Sequence, residues 1–258
     1  MDLHLKGKTA LVTGSFRGTG LIIAKALLDE GATTILHGMK EPQAEEAVKE
    51  LGAGRAINAD ITTQKGCTEL LEKLSGQSID ILVNNYGAAD PSNWQQEDPS
   101  PWFTALEKNV LSAQRLIQGL VPKMIEKKWG RVINLGTTGA TKPSPKNPAY
   151  YSSKGALNTM TISLAGELSK TGITVNIVSP GLILTPEVKA AYLARAGLDD
   201  TPSSWEQVES RIAKDIPIGR IVRREEVANL ITYLCSPHAD AIHGQNIKID
   251  GGSLGTVS

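Results

Sequence analysis

Cysteine is scarce. Cys67 and Cys235 stand alone in 258 residues, too few for a disulfide framework and without the spacing of a metal site. A reducing cytoplasm is the setting this suggests. Charge of one sign is lacking too: Lys+Arg 27 balances Asp+Glu 27, so no global field draws the chain to nucleic acid or to an anionic membrane. No apolar run approaches the roughly 18 residues needed to span a bilayer, and the stretch from Met1 to Lys8 has no signal-like apolar core. The four histidines (His4, His37, His238, His243) form no ligand cluster, so no metal is expected. Neither a fixed-period repeat nor a low-complexity tract is present.

What the chain does have is 40% hydrophobic residues, enough for a full core, and 25 glycines, some of them in informative places. Lys8 to Thr13 reads as a short apolar strand. It runs directly into Gly14-Ser15-Phe16-Arg17-Gly18-Thr19-Gly20, and a helix ending at Gly31 follows. A strand, a glycine-rich turn and a helix form the context in which free N–H groups at a helix start bind phosphates. The spacing is Gly-x-x-x-Gly-x-Gly.

Further strands are expected at Ala32–His37, Arg55–Ala59, Ile79–Val83, Gly130–Leu135, Ile173–Val178 and Gln245–Asp250. Helices are expected between them at Glu41–Leu51, Thr62–Leu74, Pro101–Lys128, Pro148–Lys170 and Arg224–Cys235. Alternation of this kind, with near-continuous apolar strands, predicts an α/β fold. It would be a Rossmann-like, doubly wound, parallel seven-stranded sheet in one domain, with its ligand crevice at the strand C-termini. Residues 186–217 differ in texture, with Tyr192, Pro202 and Trp205 in two short amphipathic helices, and read as a lid or substrate wall.

The second strand ends in His37-Gly38-Met39-Lys40, without the carboxylate that would bind the ribose hydroxyls of NAD. Arg17 in the turn and Lys40 nearby supply two cations and no anion. NADP(H) is therefore the expected cofactor, with NAD(H) the alternative.

In Pro148–Gly155, Tyr150 and Lys154 are four apart and share one helical face. Asn147 is a candidate N-cap and Pro148 suits the first helical position, which puts Tyr150 in the first turn. The helix dipole and the neighbouring ammonium are both expected to lower the phenol pKa from about 10 and so create an acid/base group for a carbonyl or carbinol oxygen. The same helix carries a small face of Ala156, Thr159, Ser163 and Gly166, suited to a second subunit.

Together these residues resemble the short-chain dehydrogenase/reductase family, from Lys8 to Gly252 and with the motifs in the family's order. The resemblance implies that Thr13-Gly14…Gly18-x-Gly20 holds the cofactor, with Ser15, Arg17 and Thr19 beside it, and that Met39, Lys40, Asp60 and Ile61 line the adenosine end. Asn84-Asn85-Tyr86-Gly87 matches the family's Asn-Asn-Ala-Gly element, and Pro180-Gly181-Leu182-Ile183-Leu184-Thr185 the segment that holds the nicotinamide carboxamide. Tyr150 and Lys154 match the catalytic pair. Asn109 matches the residue linking Lys to solvent through water.

Two departures bear on the substrate. The family's catalytic Ser is replaced by Thr137, with Thr138 the alternative if the turn is shifted, and Tyr86 replaces a small residue. The implied activity is hydride transfer between a nicotinamide cofactor and a carbonyl or secondary alcohol, in a homo-oligomer (tetramer or dimer). The other readings are an inactive dinucleotide-binding scaffold, or an isomerase or dehydratase working by transient oxidation. Tyr86, Trp94, Tyr192 and Trp205 hint at an aromatic-lined pocket. A 3-oxoacyl substrate on a carrier protein would call on Lys127, Lys128 and Arg131 as a basic patch.

Overall fold

Each core strand serves two hydrophobic layers at once. Ala10 and Val12 of β1 (Thr9–Val12) face one layer and Leu11 faces the other. Leu36 and Ile35 of β2 (Thr33–Gly38) divide in the same way, as do Ile81 and Leu82 of β4 (Ile81–Asn84). Alternation on a pleated strand with both faces covered is why these segments are continuously apolar. The computed structural model describes residues 1–95, 98–198 and 204–255.

With β3 (Arg55–Asn58), β5 (Gly130–Leu135), β6 (Ile173–Pro180) and β9 (Asn246–Ile249), the strands form a parallel seven-stranded sheet of order β3-β2-β1-β4-β5-β6-β9. One layer packs α1 (Gly18–Asp29) and α9 (Arg224–Leu234) on the sheet. The other packs α3 (Gln64–Lys73), α5 (Ser112–Lys127) and α6 (Pro148–Glu167). The strand order reverses between β1 and β4, so the loops after these two strands diverge and leave a crevice. α2 (Gln43–Leu51) lies between β2 and β3.

Three local features differ from the sequence expectation. The long helix at 101–128 is interrupted: α4 (Ser100–Leu106) passes through a π-helical turn, Glu107–Leu111, into α5. The cause is Asn109. Its Nδ2 donates to the Ala105 carbonyl at 3.0 Å, occupying the acceptor that the helix backbone would use. Asn147 does not cap α6 through its side chain. It is left-handed (φ 57°) and its Oδ1 accepts from the Ser92 amide at 3.4 Å, while Pro148 takes the first helical position as expected.

The third difference is a two-stranded ribbon that pattern reading missed. β7 (Ile183–Leu184) pairs in parallel with β8 (Val222–Arg223), each too short to show periodicity. The ribbon ties together the two ends of the 186–217 excursion, which carries α7 (Pro186–Leu198) and α8 (Trp205–Ile212). Residues 199–203, Pro202 among them, lie outside the described residues. Lys189 of α7 sits 5.3 Å from the Trp205 ring centroid, holding the two helices together.

The basic patch drawn from Lys127, Lys128 and Arg131 is not there. Lys127 pairs with Asp80 at 2.7 Å, and Arg131 is 1% exposed and ion-paired to Asp240, with Trp129 stacked on its guanidinium. These residues sit at the N-terminal end of β5, opposite the crevice.

Candidate active site

The glycine turn is built by its neighbours. Ser15 Oγ donates to the Val12 carbonyl (2.7 Å) and accepts the His37 amide (2.9 Å), so this buried hydroxyl fastens the turn to β2. Gly14 N donates to His37 Nδ1 at 3.1 Å, and His37 Nε2 therefore carries the proton toward the Ala59 carbonyl at 3.0 Å. Burial brings the His37 pKa down to about 4, which keeps this clamp neutral. His37, placed by the sequence at the end of the second strand and among the unclustered histidines, thus supports the turn. Asn85 Nδ2 donates to the carbonyls of Thr13 (2.9 Å) and Gly14 (3.3 Å), locking the turn from the β4 side.

The turn opens on a cleft of about 270 Å³ lined by Arg17, Gly18, Thr19, Gly20, Tyr86 and Glu187, among others. Gly18 is left-handed (φ +61°) with nothing within 4 Å of an added Cβ, whereas a Cβ on Gly20 would meet the Gly14 carbonyl at 2.6 Å. No side chain caps α1 and no acidic residue stands in its first turn, so its leading amides face the cleft unneutralised. That arrangement fits a pyrophosphate.

Exposed Arg17 borders the cleft, and Tyr86 packs against Gly14, 3.2 Å from where its Cβ would lie. Glu187, which sequence reading missed, brings a carboxylate to the same cleft. Hydrogen bonds to its own amide and to the Thr185 hydroxyl, and the charges of Arg17 and Arg224, hold its pKa below the usual value. Only the tertiary path of α7 brings it there.

After β2, the Met39 and Lys40 amides both donate to Gln43 Oε1, at 2.8 and 3.2 Å, which fixes the chain there. Asp60 is exposed and its Oδ1 accepts from Thr62 N and Oγ1. The Ile61 side chain is 1% exposed and belongs to the core, so it presents none of its surface to a ligand.

A second cavity, of about 160 Å³, shares Asn85, Gly87 and Leu135 with the first and adds Thr137, Tyr150, Lys154, Pro180, Gly181 and Ile183. The structure thus brings the Tyr/Lys pair, the β4 end and the 180–185 segment to one place. Lys154 is 4% exposed and donates to the Leu135 carbonyl at 2.7 Å, and burial brings its pKa down to about 8. The Tyr150 pKa goes the other way from the expectation. Burial pushes it up to about 12, Tyr151 adds to this, and a hydrogen bond with the Thr137 hydroxyl offsets only part. The Lys154 ammonium does not figure among the causes; its Nζ is turned to the Leu135 carbonyl.

Thr138 is committed elsewhere, its hydroxyl donating to the Pro180 carbonyl at 3.3 Å. Thr185 accepts the Val188 amide at the start of α7. The side-chain atoms of Asn109 are taken by the amide and carbonyl of Ala88 (3.1 and 3.0 Å) and by Ala105. They fix the backbone at Ala88, and a Cβ added at the neighbouring Gly87 would lie 2.5 Å from Asn109 Oδ1 and 3.1 Å from Lys154 Nζ.

α6 is held to the sheet by a buried polar ladder that the sequence did not announce. Asn84 Nδ2 donates to Asn134 Oδ1, Asn134 Nδ2 to Thr161 Oγ1, and Thr161 to the Leu157 carbonyl, at 2.8, 2.8 and 2.7 Å.

A family model described as Enoyl-(Acyl carrier protein) reductase matches residues 14–253. The chain is 35% identical to the Uncharacterized oxidoreductase YvaG of Bacillus subtilis (strain 168), with all of both chains covered. It is 31% identical to the 3-oxoacyl-[acyl-carrier-protein] reductase FabG of Haemophilus influenzae, over 96% of this chain and 98% of the relative. Among solved structures, L-sorbose reductase from Gluconobacter frateurii, complexed with NADPH and L-sorbose, superimposes with a TM-score of 0.93 at 32% identity, covering 100% of each chain.

Proposed function

This chain belongs to the short-chain dehydrogenase/reductase family of oxidoreductases, and from that premise we propose that it reduces a carbonyl of a small molecule to a secondary alcohol, or runs the reverse, with NADP(H). The observation that carries the reading is the cavity shared by Tyr150, Thr137 and Lys154, adjoining a glycine-turn cleft bordered by a cation.

The α1 amides and Arg17 would hold the phosphates. Asp60, Met39 and Lys40 would border the adenosine end. Asn85, Gly87, Gly181, Ile183 and Thr185 would border the nicotinamide end. When bound, the cofactor supplies or accepts the hydride at the reacting carbon. Tyr150 moves the proton at the oxygen. A phenol at about 12 keeps its proton throughout the neutral range, so Tyr150 enters the reducing direction in the protonated form. Thr137, already hydrogen-bonded to that phenol, is placed to hold the same oxygen. Lys154, at about 8, can exchange a proton near neutral pH. The helices α7 and α8, with Glu187 at the cleft and the β7–β8 ribbon at their base, act as the lid in this reading.

A homo-oligomer in the cytoplasm completes the reading. The small face of α6 (Ala156, Thr159, Ser163, Gly166) is exposed beside Ile162 at 55% exposure, which supports an apolar contact between subunits. Within the described residues no helix is long and apolar enough to cross a membrane.

The test is Tyr150→Phe assayed by NADPH oxidation over a panel of ketones and diketones. A loss of about 10²–10⁴-fold in kcat is expected. Undiminished turnover would remove Tyr150 from the role.

A further inference from the structure

Tyr151 lines two chambers at once. One, of about 400 Å³, holds the proton-transfer groups Thr137 and Tyr150 and reaches Lys142. The other, of about 490 Å³, is walled by Trp94, Pro143, Pro145 and Pro148. Tyr151 is the residue common to both linings.

Its ring is held from two sides. The Tyr150 ring lies 5.2 Å away between centroids, tilted by 58°. On the other side the ring occupies the space above Gly139, where an added Cβ would come within 2.6 Å of Cδ1 and 3.1 Å of Cζ. The ring root is on α6, which the Asn84–Asn134–Thr161 ladder fixes to the sheet. Gly139 follows β5, on the same sheet. A flat side chain held by two rigid elements and lining both chambers is placed to divide them.

We infer that Tyr151 is a specificity-determining residue. It closes the chamber of the proton-transfer groups to bulky substituents and walls off a flat-faced chamber whose chemistry suits an aryl group. Trp94 and three prolines offer apolar faces without a charge, and aromatic faces pack well against such rings. In the native chain a substituent flanking the carbonyl is therefore confined to the first chamber, and it reaches the second only when the wall is cut back.

The inference rests on the reductase reading, so its test has an arm that does not need turnover. The probes are 2,3-butanedione and 1-phenyl-1,2-propanedione, which differ by a methyl-to-phenyl exchange next to the carbonyls. Tyr151→Ala raises the phenyl-to-methyl ratio of kcat/KM at least 10-fold, Tyr151→Leu raises it less, and Tyr151→Phe, which keeps the wall, leaves it within about twofold. Calorimetric titration of both probes into NADP⁺-saturated protein gives the same order in Kd. A ratio unmoved in both the Ala and the Leu variants, or moved as far by Phe as by Ala, overturns the inference. If native protein turns over neither probe, these two diketones are not its substrates, while the binding ratios still decide the role of Tyr151.

Discussion

Thr137 and Thr138 are adjacent in sequence and chemically identical, yet their hydroxyls have different fates: one meets the Tyr150 phenol and the other the Pro180 carbonyl. Thr137→Ala should lower kcat by about 10²-fold, because a donor aimed at the reacting oxygen is lost, while Thr138→Ala stays within a few-fold. Steady-state kinetics on one carbonyl substrate separates the two. His37 sets a second residue-scale expectation. Its folded pKa, about 4, lies below the unfolded 6.5. The unfolded chain therefore binds the proton first, and stability that is present above pH 6.5 is lost as pH falls toward 4. By pH 5 the loss attributable to this group is about 2 kcal/mol. Urea titrations at pH 7 and pH 5 measure it, and His37→Gln should show a smaller difference between the two. A slope equal to the native one would show that the clamp does not titrate as its burial requires.

Among the elements, α6 matters most, since it carries Tyr150, Tyr151 and Lys154. Apolar packing alone lets a helix slide on a sheet, but the Asn84–Asn134–Thr161 ladder fixes its position through directional bonds in a dry interior. Asn134→Leu strands the Asn84 donor and the Thr161 acceptor, and should destabilise the fold by about 2–4 kcal/mol in urea unfolding. It should also lower kcat more than it changes KM, because the phenol is displaced while the cleft survives. Asn109 works by a similar economy at the break between α4 and α5, where its side chain widens one helical turn and holds Ala88.

For the whole molecule, the cleft and the cavity share Asn85, Gly87 and Leu135, so one elongated ligand occupying both would stabilise every element that lines them. At 100 times its Kd such a ligand adds about 2.7 kcal/mol, roughly 5–10 °C in Tm for a chain of this size. NADPH should give this shift and NADH a smaller one at equal concentration. Arg17→Ala should bring the NADPH shift down to the NADH value, because the extra phosphate of NADPH loses the exposed guanidinium that would pair with it. Differential scanning fluorimetry reads all three, and an unchanged NADPH shift in the variant would remove Arg17 from that contact.

The sequence by itself determined the sheet, the glycine turn and the register of the Tyr/Lys pair. These are carried by short-range periodicities: two for strands, about 3.6 for helices, and turns that need glycine. The tertiary structure decided the rest, because burial and partner choice depend on residues far apart in the chain. It gave Lys154 to the Leu135 carbonyl and raised the Tyr150 phenol where spacing alone had it lowered. It took Ser15 and Ile61 out of reach of a ligand, dissolved the patch around Arg131, and brought Glu187 to the cleft. A pKa and a cavity wall are properties of an environment, and in this chain both are assembled from residues on different strands and helices.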